Sequence, residues 1–158
     1  MEESKEQIDQ PPPTSVTVHG DVEDIDYNWL EERTLEVLGC LCKQKCVVSI
    51  LVVQDEEMSD LHLKHSGIAG TTDVLTFDHG SDGEFISADL AICFDVAVRE
   101  SETRNHPVQN ELLLYIVHGI LHCIGFDDHN SDDHNRMHQE EDRILKAIGV
   151  GVVWNHST

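Results

Sequence analysis

The feature that most constrains the fold is a β-branched apolar run of eight residues, Cys46-Val-Val-Ser-Ile-Leu-Val-Val53. The run is too short for a typical helix, and almost none of its side chains is polar enough to prefer solvent. Such a segment is typical of a strand that is buried on both faces. We therefore expect it at the centre of a sheet.

Three further segments have β character and bring the predicted sheet to four strands. Val16–His19 is a short β-prone run, and residues 73–77 alternate between apolar and polar side chains. Residues 84–94 form the last segment, and the turn at His79-Gly-Ser-Asp-Gly83 separates it from the one before. These last two segments are predicted to form a β-hairpin.

Four segments have the pattern of helices. Asp26 can cap a helix that continues to about Leu41. The apolar face of this helix would contain Trp29, Leu30, Leu35 and Leu38. The other helices are predicted at residues 55–66, 107–124 and 132–148. A chain of 158 residues suits a single domain with one hydrophobic core.

The charge of the chain limits the partners that it can attract. Ten Lys and Arg residues stand against 31 Asp and Glu residues, so the net charge is −21. Such a charge opposes broad attraction to phosphate backbones and to anionic membranes. An RNA substrate would therefore need a local basic patch or delivery by a partner. The candidates for such a patch are Lys43, Lys45, Lys64, Arg99 and Arg104.

The cysteines and the amino-terminal residues indicate a soluble, cytoplasmic protein. The five cysteines are odd in number and lie in apolar runs, which is typical of a reducing compartment. Cys40, Cys42 and Cys46 lack the paired spacing of a structural zinc module, so we interpret them as small core residues. The amino terminus has no secretory pattern, and no apolar run approaches the ~20 residues that span a bilayer.

The chain is predicted to consist of one domain with short polar ends. Residues 1–14 end in Pro11-Pro12-Pro13 and are predicted to be a disordered leader. The domain is expected at residues 15–150, and residues 151–158 form a tail.

A histidine pair in the third predicted helix indicates a metal site. His118-Gly-Ile-Leu-His122 places two imidazoles one turn apart on the same face. Gly125 can end the helix in a left-handed conformation and turn the chain back. The third ligand is then Asp128 or His129; the spacing favours Asp128, although both side chains ligate zinc. Three protein ligands with one open position are typical of catalytic zinc.

The residue after the first histidine restricts the chemistry. Helical zinc proteases carry a Glu there as general base, whereas this chain has Gly119. Peptide hydrolysis by that mechanism is therefore disfavoured. A bound ion can still lower the pKa of its water and polarise a carbonyl or phosphoryl oxygen, so His118 and His122 would act through that water. Asp127 would be either a support for the ligands or a solvated loop acid.

Several motifs follow one another in a characteristic order, namely Thr72-Asp-Val-Leu-Thr-Phe77, His118-Gly-Ile-Leu-His-Cys-Ile-Gly-Phe-Asp127, Met137-x2-Glu140 and Ile144-Leu145-x2-Ile148-Gly149. This order resembles the YbeY family of metal-dependent endoribonucleases that mature ribosomal RNA. The resemblance covers residues 15–150. It implies an α/β fold, in which a central mixed four-stranded sheet packs with about five helices. It also implies a His-x3-His-x5-His zinc site, whose third position is Asp128 here.

The resemblance also implies a function and partners. The expected activity is that of a zinc-dependent endoribonuclease in rRNA maturation and ribosome biogenesis, with one catalytic Zn²⁺ or another divalent ion. The expected partners are ribosomal RNA or proteins of the small ribosomal subunit, without an organic cofactor. Two alternatives stay open, namely a metal-dependent hydrolase of a non-RNA substrate and a non-catalytic ribosome assembly factor.

The substrate side of the site departs from the family pattern. The family usually has an Arg six residues before the Thr of its Thr-Asp-Val-Leu motif, where this chain has Ser66. Serine cannot make the bidentate phosphate contact of a guanidinium, although Lys64 or His65 could replace part of it. The resemblance places Thr72 and Asp73 beside the catalytic cleft. The predicted substrate contacts are therefore Lys64, His65, Ser66, Thr72 and Asp73.

A second histidine pair occurs in the last predicted helix. His134 and His138 also lie one turn apart, but on a strongly acidic helix. This pattern favours a solvated helix face over a second metal site.

Overall fold

A computed structural model describes residues 14–41 and 45–151. In chain order, its elements are β1 (Ser15–Gly20), α1 (Tyr27–Leu41), β2 (Lys45–Val53), α2 (Asp55–Ser66), β3 (Val74–Asp78), β4 (Phe85–Cys93), α3 (Phe94–Arg104), α4 (Val108–Cys123) and α5 (Ser131–Ala147). The predicted leader and tail lie outside the described residues, apart from positions 14 and 151, and so do Cys42 and Lys43.

The four strands form one mixed sheet in the order β1-β2-β4-β3. Strands β1, β2 and β4 are parallel, whereas β3 and β4 form the predicted antiparallel hairpin. The prediction of a mixed four-stranded sheet in an α/β fold is confirmed. Within the described residues, no helix is both long enough and apolar enough to cross a membrane.

The two faces of the sheet are covered unequally. On one face, Val48, Ile50 and Val52 of β2 are almost fully buried in the main core. On the other face, Met58 of α2 packs near the carboxyl end of β2, whereas Val47 at the opposite end is 41% exposed. The expectation that β2 is buried on both faces is therefore wrong along part of the strand, because α2 covers only one end of it.

Helix α4 lies in the main core and approaches the sheet closely at Gly119. A Cβ atom at this position would lie 2.9 Å from Leu90 Cδ2 and 3.0 Å from Thr76 Oγ1. The position after His118 therefore faces the sheet, where a glutamate would have no room. The close packing of α4 against the sheet therefore explains why no glutamate follows His118.

The four predicted helices are present with similar boundaries. The structure differs from the predictions at two other points. Asp26 Oδ1 accepts a hydrogen bond from Trp29 N at 2.9 Å, as expected for a cap. Leu35 does not lie on the buried face of α1; it is 44% exposed, and Thr34 is buried instead because its hydroxyl donates to the Leu30 carbonyl. Helix α3 was not predicted, because it follows β4 directly with no turn residue between them.

Within the described residues, the cysteines form no disulfide bond. Of the residues interpreted as small core residues, Cys46 is buried and Cys40 is partly buried. Cys93 and Cys123 are also buried. Burial raises the pKa of Cys123 to about 11, so its thiol stays protonated at neutral pH.

Candidate metal centre

One face of α4 lines a cavity of about 410 Å³. Glu111, Tyr115 and His118 follow one another at helical spacing along this face and all reach the cavity. The opposite walls come from the residues before β3, from α3 and from α5. The cavity is therefore built by elements that are distant in the sequence.

Three predicted ligands converge at one end of the cavity. Donor atoms of His118, His122 and Asp128 all lie within 4.8 Å of one another. The two Nε2 atoms are 3.1 Å apart, and His118 Nε2 lies 3.5 Å from Asp128 Oδ2. Helix α4 gives way to a turn at Gly125, where φ is 104° and Phe126 N donates to the Leu121 carbonyl. This turn returns the chain to the imidazoles, as a left-handed glycine allows.

The neighbours of Asp128 point elsewhere. His129 Nε2 lies 3.4 Å from Asp127 Oδ1, and these side chains are 74% and 57% exposed. His129 therefore pairs with Asp127 at the surface. Of the two candidates for the third ligand, the structure brings Asp128 to the histidines.

A buried carboxylate orients the first imidazole. Glu141 is fully buried, and its Oε2 lies 2.6 Å from His118 Nδ1. When Nδ1–H donates to this carboxylate, His118 Nε2 keeps its lone pair for a cation. The sequence reasoning missed Glu141. A signal was present, since Glu141 lies four residues after the buried Met137 and three before the buried Ile144 on α5.

The two imidazoles differ in proton affinity. Burial alone would lower the pKa of His118, but the hydrogen bond that its ring donates to Glu141 and the charges of Glu141, Asp73 and Asp128 raise it overall. The pKa of His122 is lowered by burial and then by the adjacent His118. The carboxylates therefore favour positive charge at His118, as expected where a cation is held.

This donor set fits a zinc-type ion. Two imidazole nitrogens and one carboxylate oxygen are the ligands of known catalytic zinc sites, and such histidines usually have a carboxylate partner behind them. When bound, such an ion supplies a Lewis acid and a water of lowered pKa. Asp128 is 39% exposed, so solvent reaches this side of the donor cluster.

A second buried carboxylate lies at the other end of the cavity. Glu111 is fully buried and accepts hydrogen bonds from Arg104 and from His106 Nε2, the latter at 2.6 Å. Arg104 Nη2 also lies 3.4 Å from Glu100. Burial and the charge of Glu111 raise the pKa of Tyr115, so this phenol stays protonated. The sequence reasoning did not identify Glu111, His106 or Tyr115.

The predicted substrate contacts fall into two groups. Thr72 and Asp73 line the cavity, and Asp73 Oδ1 accepts a hydrogen bond from Val74 N at 2.7 Å. Lys64, His65 and Ser66 are exposed at the end of α2 and do not line it, and His65 packs its ring edge against Phe77.

The basic residues that were proposed as an RNA-binding patch lie mostly outside this cavity. Of those within the described residues, Arg104 alone lines it. Arg99 instead forms an ion pair with Asp55, with Arg99 Nη1 2.8 Å from Asp55 Oδ2. Among the residues that the structure describes, these basic side chains therefore form no continuous patch in the cavity.

Comparisons with known proteins identify similar sequences and a similar structure. The family model described as "Endoribonuclease YbeY" matches residues 17–149. Relatives with the same name occur in Thermobifida fusca (36% identity, covering 62% of this chain and 69% of the relative), Frankia alni (33%, 66% and 65%) and Maricaulis maris (33%, 82% and 86%). The solution structure of TM1509 from Thermotoga maritima has 21% identity and a TM-score of 0.64, covering 84% of this chain and 88% of that one. This structural likeness supports the fold.

Proposed function

This chain belongs to the YbeY family of endoribonucleases, and we propose that it is a zinc-dependent endoribonuclease that matures ribosomal RNA in the cytoplasm. The observation that carries the proposal is the convergence of His118, His122 and Asp128 at one end of an open cavity. Three donors on one side leave room for water and for a phosphodiester oxygen.

Each residue of the metal centre has a distinct part in this proposal. His118, His122 and Asp128 hold the ion, and Glu141 fixes the ring of His118. Because Gly119 has no side chain, the residue after the first proposed ligand cannot accept a proton from a bound water. The Asp73 carboxylate lines the same cavity and accepts a hydrogen bond from Val74 N, which supports a role for Asp73 in contacting the substrate.

The charge of the cavity favours a second candidate function. Five carboxylates line the cavity, namely Asp73, Glu100, Glu111, Asp128 and Glu141. Arg104, which lines the same cavity, is already paired with Glu111. An RNA backbone would therefore meet repulsion that a less anionic substrate would not. This observation favours hydrolysis of a non-RNA compound as the alternative.

The two candidates are separated by one set of assays. Protein reconstituted with Zn²⁺ is incubated with structured ribosomal RNA, and the same is done with a His118→Ala, His122→Ala variant. A His129→Ala variant is the matched control, because His129 is exposed and adjacent to the site. We expect the wild type and the control to cleave the RNA and the double variant to be inactive.

The outcomes decide between the functions. Equal cleavage by the wild type and the double variant would show a contaminating nuclease and remove the proposal. Metal-dependent turnover of a phosphoester, amide or ester compound, without RNA cleavage, would establish the second candidate.

The net charge suggests how an acidic enzyme reaches a ribosomal substrate. With a net charge of −21, the protein is suited to bind a basic protein of the small ribosomal subunit. Capture of such a protein at low salt and its release at high salt is the expected result. A chain that captures none at low salt would have to bind RNA directly or act as a hydrolase elsewhere.

A further inference from the structure

We propose that His134 and His138 on α5 hold a second divalent cation in the same cavity as the first metal centre. The inference concerns cation binding alone and does not require RNA to be the substrate.

The ring spacing of this pair is similar to that of the first site. His134 and His138 lie one helical turn apart, with ring centroids separated by 4.0 Å, and the centroids of His118 and His122 are 4.7 Å apart. Two histidines at this spacing are a recurrent way for a helix to chelate one ion. From the sequence we expected a solvated face here. His134 is exposed, as expected, but His138 is half-buried, and both residues line the cavity.

The electrostatics of the cavity favour a further cation. Five carboxylates line it, and among the described residues the single Lys or Arg on its wall is Arg104, which already pairs with Glu111. One divalent ion at the first site offsets only part of this charge. The field of the remaining carboxylates attracts a second ion to imidazoles that lie beside them.

The ligand chemistry indicates the class of ion. Imidazole nitrogen suits zinc, cobalt, nickel and copper, whereas magnesium and calcium prefer oxygen ligands. Within the described residues, His118, His122 and Asp128 are the one group of three donors within 4.8 Å of one another. The second ion would therefore have two protein ligands, would bind more weakly, and would fill its other positions with water or substrate oxygen.

The test is a titration of the metal-free protein with Co²⁺ alone, in which binding is measured by calorimetry and by visible absorption. We expect the wild type to bind two equivalents, one tightly and one more weakly. A His134→Asn, His138→Asn variant should keep the tight equivalent and lose the weaker one. The control is a His19→Asn, His79→Asn variant, which removes two exposed histidines that do not line this cavity and should bind two equivalents.

The tight equivalent serves as an internal check of folding. A wild type that binds a single equivalent would overturn the proposal. So would a second equivalent that persists in the His134→Asn, His138→Asn variant, or one that disappears in the control. Because the titration does not measure RNA cleavage, its result stands whatever reaction the first site performs.

Discussion

Each end of the cavity contains a buried carboxylate paired with an imidazole, but the two pairs have different roles. Glu111 and Glu141 are both fully buried, and each lies 2.6 Å from an imidazole nitrogen, of His106 and of His118 respectively. At the Glu111 end, the permanent charge of Arg104 completes the pair. At the Glu141 end, the other nitrogen of the imidazole faces two further donors. A buried carboxylate is therefore structural in the first case and orients a proposed metal ligand in the second.

The largest effect of a substitution is expected at the Glu111 end of the cavity. Glu111→Leu removes the partner of Arg104 and leaves a poorly compensated charge, so we expect a loss of roughly 3–5 kcal/mol in the free energy of unfolding. Urea denaturation of the metal-free protein measures it. Glu100→Gln is the control, because this more exposed partner of Arg104 should contribute less than about 1 kcal/mol. Equal effects of the two substitutions would contradict the structural role of Glu111.

The next effect concerns the third ligand. Asp128→Ala should weaken zinc binding by more than the roughly 10–100-fold that loss of an outer partner costs, because it removes a direct donor. His129→Ala should leave the zinc affinity unchanged, since His129 pairs with Asp127 at the surface. Competition with a chromogenic chelator gives both affinities. A loss confined to the His129 variant would mean that the loop shifts by one residue when metal binds.

Glu141→Gln tests the supporting carboxylate. We expect zinc affinity to fall by about 10–100-fold, because a glutamine holds His118 less firmly and removes a negative charge behind it. Glu111→Gln is the matched control at the other end of the cavity and should leave zinc affinity nearly unchanged. The same chelator competition is used. If both glutamines weakened zinc binding equally, the two ends would not have separate functions.

The sequence predicted the elements that depend on local patterns. The spacing of His118 and His122, the left-handed turn at Gly125 and the return to Asp128 follow from helical periodicity and glycine geometry. The alternation of residues in β3 and β4 likewise predicted the hairpin. Local rules therefore predicted most of the secondary structure and the proposed ligands His118 and His122, and left the third position open between Asp128 and His129.

The residues that support the site could not be placed in this way. Glu141 reaches His118 only because α5 packs against α4, and Glu111 meets Arg104 across the α3–α4 connection. Such contacts depend on packing between elements. A charged residue on the apolar side of a helix was the available signal, because a buried carboxylate must have a partner. The position of His134 and His138 also depends on packing between elements. The acidic sequence of their helix predicted a solvated face, whereas both residues line the cavity.

The smallest effect tests how closely α4 must approach the sheet. Gly119→Ala places a Cβ 2.9 Å from Leu90 Cδ2 and 3.0 Å from Thr76 Oγ1. Overpacking costs roughly 1–3 kcal/mol, and the better helix propensity of alanine returns about 1 kcal/mol, so we expect a net loss of about 1 kcal/mol in urea denaturation. Gly39→Ala in α1 is the control, because its Cβ meets no atom within 4 Å and should stabilise the protein by about 0.5–1 kcal/mol. Stabilisation by both substitutions would show that the packing at Gly119 accommodates a side chain. Close packing would then not explain why a glutamate is absent from this position.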